Sequence, residues 1–152
     1  MSIGTSNVTS EEQIREILGV WATRVAKTDI SGVMDLYDPG VIVYDALGSH
    51  RFQGTEAYMA HWKACIETCP EGTQVSSFDL HEIDIHVDGS VAFAHFLHQV
   101  VFPGKDGEQE SIWMRSTFGL RKQPDGEWKI VHDHSSAPFD VQTGKSLCNS
   151  QP

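Results

Sequence analysis

The chain predicts an α+β fold, an antiparallel sheet with one face covered by helices from the N-terminal half. Three observations carry this prediction. Helical periodicity is confined to the segment before Pro70. From Phe78 onward, apolar and β-branched runs are separated by turn signals at Asp88-Gly89, Pro103-Gly104 and Pro124-Asp125-Gly126. The composition, 39% hydrophobic and 21% charged over 152 residues, is that of one globular domain, long enough to bury roughly 70% of its unfolded-chain surface.

The elements follow in order. Thr9-Ser10-Glu11-Glu12 has the capping-box pattern, and Ile14, Ile17, Leu18, Trp21 and Val25 recur at helical spacing, which predicts a helix from Ser10 to Lys27. Asp29 reads as the cap of a short second helix through Val33, Leu36 and Tyr37, stopped by Asp38-Pro39-Gly40. Val41 to Ala46 is a strand by its β-branched content. A third helix opens at Gly54-Thr55-Glu56, carries Ala57, Met59, Trp62, Ile66 and Cys69, and ends at Pro70-Glu71-Gly72. Strands are expected over Phe78 to Val87, Val91 to Phe102, Ser111 to Arg121 and Trp128 to Ser135. The organisation is a flexible N-terminus over 1–9, one domain over 10–140 and an irregular tail over 141–152. Such a curved sheet against three helices leaves a hollow, the usual setting of a small-molecule site.

Charge and composition exclude several classes of function. Eleven basic residues against 21 acidic ones give a formal net charge of -10, so the chain repels phosphate backbones and anionic lipid, and neither nucleic acid nor membrane is an expected partner. Met1 to Asn7 lacks the features of a signal peptide, and Val91 to Phe102 is too short to span a bilayer, so a cytoplasmic location is expected. Cys65, Cys69 and Cys148 do not make a metal or redox motif. No phosphate loop, nucleophile elbow or HExxH pattern is present, so no cofactor is expected.

Three strings carry a family resemblance. They are Tyr44-Asp45 with Leu47-Gly48-Ser49 and Gly54-Thr55; Trp113-Met114-Arg115-Ser116-Thr117-Phe118; and Gly126-Glu127-Trp128 through His132-Asp133-His134 to Ala137-Pro138, with Thr143-Gly144-Lys145 behind. In order and spacing they resemble the nuclear transport factor 2-like superfamily, and within it the SnoaL-like proteins and ketosteroid isomerase homologues. The resemblance spans Glu11 to Lys145. It implies a cone-shaped curved sheet around an apolar cavity, and a homodimer through the open sheet face, where Phe93 or Phe96 would pack. Relatives include isomerases, dehydratases and cyclases, but also binding and assembly modules such as the association domain of calcium/calmodulin-dependent kinase II, so fold alone does not assign function.

Asp45 is the sharpest candidate for chemistry. It ends an apolar strand, where an acid is solvated, capped or functional. In the resemblance it falls on the general base of ketosteroid isomerase, an enzyme that pairs an Asp base with an oxyanion hole. The rest of that site departs from the pattern: the oxyanion Tyr falls on Trp21 and the protonated Asp on Ser116, weaker donors than either, which argues against steroid isomerisation. His132 and His134 alternate with Trp128 and Ile130, which suggests two imidazoles facing inward as acid–base partners, although the opposite register would turn Asp133 and Ser135 inward. His-x-His alone lacks the three or four ligands of a zinc site, so no metal is expected. Arg115, within an apolar strand, is a candidate for binding a ligand carboxylate, or else a salt bridge or an exposed sheet position. Tyr44, Tyr58, Trp62 and His95 are candidate pocket walls.

Two functions remain open on the sequence. One is a cofactor-independent isomerase or lyase (a dehydratase or cyclase among them) using Asp/His acid–base catalysis on a small carbonyl compound, with catalytic Asp45, His134 and His132. The other is a non-catalytic module that binds an apolar or carboxylate-bearing ligand or assembles subunits.

Overall fold

Thr9 caps the first helix as its spacing predicts. In the computed structural model, which describes residues 7–68 and 74–152, its hydroxyl accepts the Glu12 N–H while the Glu12 carboxylate accepts the Thr9 N–H at 2.7 Å. Helix α1 (Ser10–Ala26) turns Ile14, Leu18, Trp21, Ala22 and Val25 to the core. Asp29 caps α2 (Ile30–Met34) by accepting the Gly32 N–H. Helix α3 (Thr55–Glu67) follows Gly54. Most of the N-terminus expected to be flexible lies outside the described residues, as do Cys69 and the Pro70-Glu71-Gly72 stop. No helix among the described residues is long and apolar enough to cross a membrane.

Among the described residues the sheet has six strands, β1 (Tyr37–Tyr44), β2 (Phe52–Gln53), β3 (Ser77–Asp88), β4 (Val91–Pro103), β5 (Gln109–Lys122) and β6 (Trp128–Ser136), in the order β2-β1-β6-β5-β4-β3. The last four strands are the expected antiparallel meander, but the sheet as a whole is mixed, because β1 pairs parallel with β6. A parallel neighbour needs a long crossover, and the whole of α3 through β5 supplies it. The first strand also starts earlier than predicted. Tyr37 leaves the end of α2 and opens β1, and Asp38-Pro39-Gly40 is absorbed where the pairing with β6 shifts register between Tyr37 and Ile42. Proline has no N–H to offer a ladder, so an irregular stretch accommodates it.

The inner face of the sheet presents Ala92, Ala94, Phe96, Phe118, Leu120, Trp128 and Ile130 to the helices. Trp21 of α1 packs edge-on against Phe78, Phe96 and Phe118, with ring centroids 5.0–5.8 Å apart. Phe96 is therefore core rather than part of the open sheet face; Phe93, three positions earlier in the alternation, points outward. The tail after β6 returns along β5, where the Trp113 backbone N–H donates to the Cys148 carbonyl at 2.7 Å.

One irregularity decides what enters the cavity. Against β5, Leu120 pairs with Ile130 but the adjacent Gly119 pairs with His132, so Val131 is an extra residue in β6. A bulge of this kind reverses the alternation beyond it. Trp128 and Ile130 face inward as expected, but Asp133 and Ser135, not His132 and His134, continue the inward row.

Candidate functional site

A cavity of about 190 Å³ opens between α1, α3 and the inner face of the sheet. Its apolar wall comes from Trp21, Val25, Leu47, Trp62, Phe78 and Met114, and its polar groups are Asp45, Tyr58, His61, His98, Asp133 and Ser135, with Cys65 beside them. This is smaller than the roughly 300–1,000 Å³ typical of drug-sized ligands.

Asp45 sits at the end of β1, in the turn closed by Gly48. One carboxylate oxygen accepts the Leu47 N–H at 2.9 Å, and the other accepts the Tyr58 hydroxyl at 2.7 Å. His61, one helical turn after Tyr58 on α3, brings Nε2 to 3.9 Å from the same oxygen and stacks on Phe52. The turn needs its glycine: Gly48 has φ +80°, and a Cβ there would lie 2.8 Å from the His61 ring. Burial raises the Tyr58 hydroxyl well above its ordinary pKa, with Asp133 and Asp45 adding to the effect, so it remains a donor. The Trp62 indole N–H lies near enough to favour the ionised phenol, yet makes no hydrogen bond among the described residues.

The second carboxylate lies deeper. Asp133 is 1% exposed; it accepts the Tyr37 hydroxyl at 2.7 Å and, more loosely, the Ser135 hydroxyl at 3.4 Å. The Tyr37 oxygen in turn accepts the Trp21 indole N–H at 3.1 Å. Burial pushes the Asp133 carboxyl up to about 7; the Tyr37 and Ser135 hydrogen bonds oppose this and the negative Asp45 reinforces it. On the other side, Ser135 meets Ser116 at 3.0 Å, and Ser116 meets His98 Nδ1 at 3.1 Å. Burial pushes His98 down to about 4 despite the attraction of Asp45, so its ring is neutral near pH 7. A hydrogen-bonded chain thus runs from His98 through Ser116 and Ser135 to Asp133, Tyr37 and Trp21.

Of the residues singled out in the sequence, Asp45, Trp21, Tyr58 and Trp62 line the cavity. Ser116 is buried one layer behind it, linking His98 to Ser135. The others lie on the opposite face of the sheet. His132 and His134 are turned outward by the Val131 bulge, where His132 Nδ1 meets the Ile42 carbonyl at 2.8 Å and both rings pack edge-on against Tyr44, itself 41% exposed. Arg115 is exposed and donates to the Ser136 hydroxyl, because its neighbours Ser116 and Met114 take the inward positions. His95 alternates outward between the buried Ala94 and Phe96. His61, His98 and Met114 were not among the candidate site residues. For His98 a signal existed, since it continues the inward series Ala92, Ala94, Phe96.

A family model described as a SnoaL-like domain matches residues 14–140. An NTF2-like protein of unknown function from Pseudomonas putida KT2440 is similar over 96% of this chain and 100% of its own, with 33% identity and a TM-score of 0.80. A protein from Parabacteroides distasonis described as a candidate ketosteroid isomerase has 24% identity, a TM-score of 0.68 and coverage of 90% of this chain and 93% of its own. A protein from Xanthomonas campestris described as a candidate calcium/calmodulin dependent protein kinase II association domain has 18% identity, a TM-score of 0.71 and coverage of 91% and 94%. These last two share the fold. No curated protein matches the sequence.

Proposed function

The chain belongs to the SnoaL-like domain family, and we propose that it binds a small, largely apolar carbonyl compound and moves a proton on it without a cofactor. The observation that carries this reading is that two carboxylates, Asp45 near the mouth and Asp133 in the floor, line one apolar cavity. Asp45 takes the proton from a carbon next to the carbonyl. The C–H bond breaks, its electron pair moves into the enolate, and negative charge gathers on the carbonyl oxygen. A protonated Asp133, which lines the same cavity, is the donor assigned to that oxygen. Returning the proton to a different carbon gives an isomerase. Loss of a β-hydroxyl, with a proton added to it as water, gives a dehydratase. His61 takes the role of acid–base partner to Asp45 in place of His134.

The test is hydrogen–deuterium exchange at the α-carbon of small ketones and hydroxy-ketones in deuterated buffer, followed by proton NMR. Exchange above background is expected with the native chain and is lost in Asp45→Asn. Ketones that bind but exchange at the same rate with the native chain and Asp45→Asn would refute the catalytic reading.

A second reading has its own support. Val91, Phe93 and Tyr44 are 55%, 48% and 41% exposed on the outer sheet face. This favours a homodimer through that face. Light scattering that gives a monomer mass for both the native chain and Phe93→Glu would sink it.

A further inference from the structure

The outer face of the sheet carries a second cluster, on the opposite side of the sheet from the cavity and unused by the reaction above. Asp84 and His86 alternate on β3, and His95 stands directly opposite Asp84 on β4. Both imidazoles turn Nε2 toward one carboxylate oxygen: Asp84 Oδ2 lies 3.2 Å from His86 and 3.6 Å from His95. One donor atom from each residue falls within 4.8 Å of the other two.

We propose that Asp84, His86 and His95 form a binding site for a borderline divalent transition-metal ion of the zinc class. Metal–ligand bonds near 2.0–2.1 Å in a tetrahedron put neighbouring donors about 3.3 Å apart, and the two Asp84 contacts bracket that separation. Two imidazoles and one carboxylate are the donor set of zinc, cobalt or nickel rather than of calcium or magnesium, which take oxygen ligands. Three protein ligands leave a position open to water.

Stacking orients both rings. Phe93 stacks on His86 at 4.6 Å between centroids, and the rings of His86 and His95 are within 24° of parallel. A register shift in β3 between His81 and Asp84, at Glu82 with φ +54°, sets which residues of this strand face outward beside His95. All three ligands are exposed, so an ion would enter from solvent and clip the β3–β4 hairpin across its two strands. No spacing along the chain marks this site, because the donors come from two strands and only pairing brings them together.

The experiment is a titration of the purified full-length chain with Zn²⁺ by calorimetry, and with Co²⁺ followed by its visible absorption. One ion per chain is expected, with Co²⁺ bands of four- or five-coordinate intensity. His86→Ala and His95→Ala should each weaken binding at least tenfold, and His134→Ala, a histidine on the same face, should leave it unchanged. The three positions are exposed, so the variants are expected to fold, which circular dichroism checks. Asp84→Asn gives a further reading that keeps side-chain volume. Absence of binding, an affinity indifferent to His86→Ala and His95→Ala, or one ion per two chains would each overturn the proposal.

Discussion

Replacing Asp133 by Asn tests whether the deep carboxyl holds its proton as its surroundings require. Its ordinary pKa is 3.8 and burial raises it to about 7. Between those values the folded chain keeps a proton that the unfolded chain has lost. This contribution to stability is therefore full below pH 3.8 and is lost as pH rises through about 7. The window spans about three pH units at ~1.4 kcal/mol each, a total of about 4 kcal/mol. His98 works in the opposite sense. Its pKa falls from 6.5 to about 4, so its contribution is full above pH 6.5 and is lost as pH falls to about 4. Over pH 4 to 6.5 the two slopes oppose each other, and this pair leaves the native profile nearly flat.

Asn keeps the shape and an oxygen for the Tyr37 hydroxyl, but it cannot titrate. The variant should then gain stability as pH rises from about 4 to 6.5, leaving His98 unopposed. The difference, native minus variant, should fall by ~1.4 kcal/mol per pH unit and reach about 4 kcal/mol in total by about pH 8. Urea unfolding of both chains at about pH 4.5, 5.5, 6.5 and 8 measures it, with carboxylates elsewhere cancelling in the difference. A difference that stays constant across this range would refute the assignment of a raised pKa to Asp133.

Other predictions follow from the same geometry. If protonated Asp133 is the donor to the enolate oxygen, kcat/KM for ketone exchange should decline above about pH 7, and a rate independent of pH from about 6 to 9 would reject that role. Tyr58→Phe removes the 2.7 Å hydrogen bond to the Asp45 carboxylate and should cost about 1.5–3 kcal/mol in urea unfolding. Gly48→Ala introduces a Cβ at φ +80° and 2.8 Å from the His61 ring; it should destabilise by ~1–2 kcal/mol and displace His61 from Asp45, visible as a shifted His61 NMR resonance. The His98 ring should remain neutral down to about pH 5, so its carbon-bound proton shifts should stay constant from about pH 8 to that point.

What was legible in the sequence was set by local chemistry. The Thr9 and Asp29 caps and the Asp88-Gly89 hairpin each depend on residues close together in the chain, and each lies where the pattern puts it, whereas the inward row of β4, with Phe96 inside and His95 outside, differs from the expected placing of both. Asp45 was legible for the same reason, an acid closing an apolar strand with a glycine turn behind it. The parallel pairing of β1 with β6 was not, since contacts separated by some 90 residues leave no periodicity in either strand.

The last strand shows how far the effect of one residue can run. Both registers of Trp128–Ser136 were open on the alternation, with imidazoles on one side and a carboxylate and hydroxyl on the other. Val131 resolves this by bulging between the Leu120–Ile130 and Gly119–His132 pairs. The cost of the extra residue is local, whereas its consequence runs to the end of the strand. Beyond it the buried position goes to Asp133, whose charge is expensive to desolvate, and the histidines take the solvated face. Hydrophobic burial alone would not choose that arrangement. It becomes acceptable because Tyr37 and Ser135 supply hydrogen bonds at the buried oxygens and because the carboxyl can take up a proton. The same two provisions that make Asp133 tolerable in the core make it a donor facing an apolar cavity. Which polar groups face this cavity therefore turns on a bulge that alternation along the strand does not reveal.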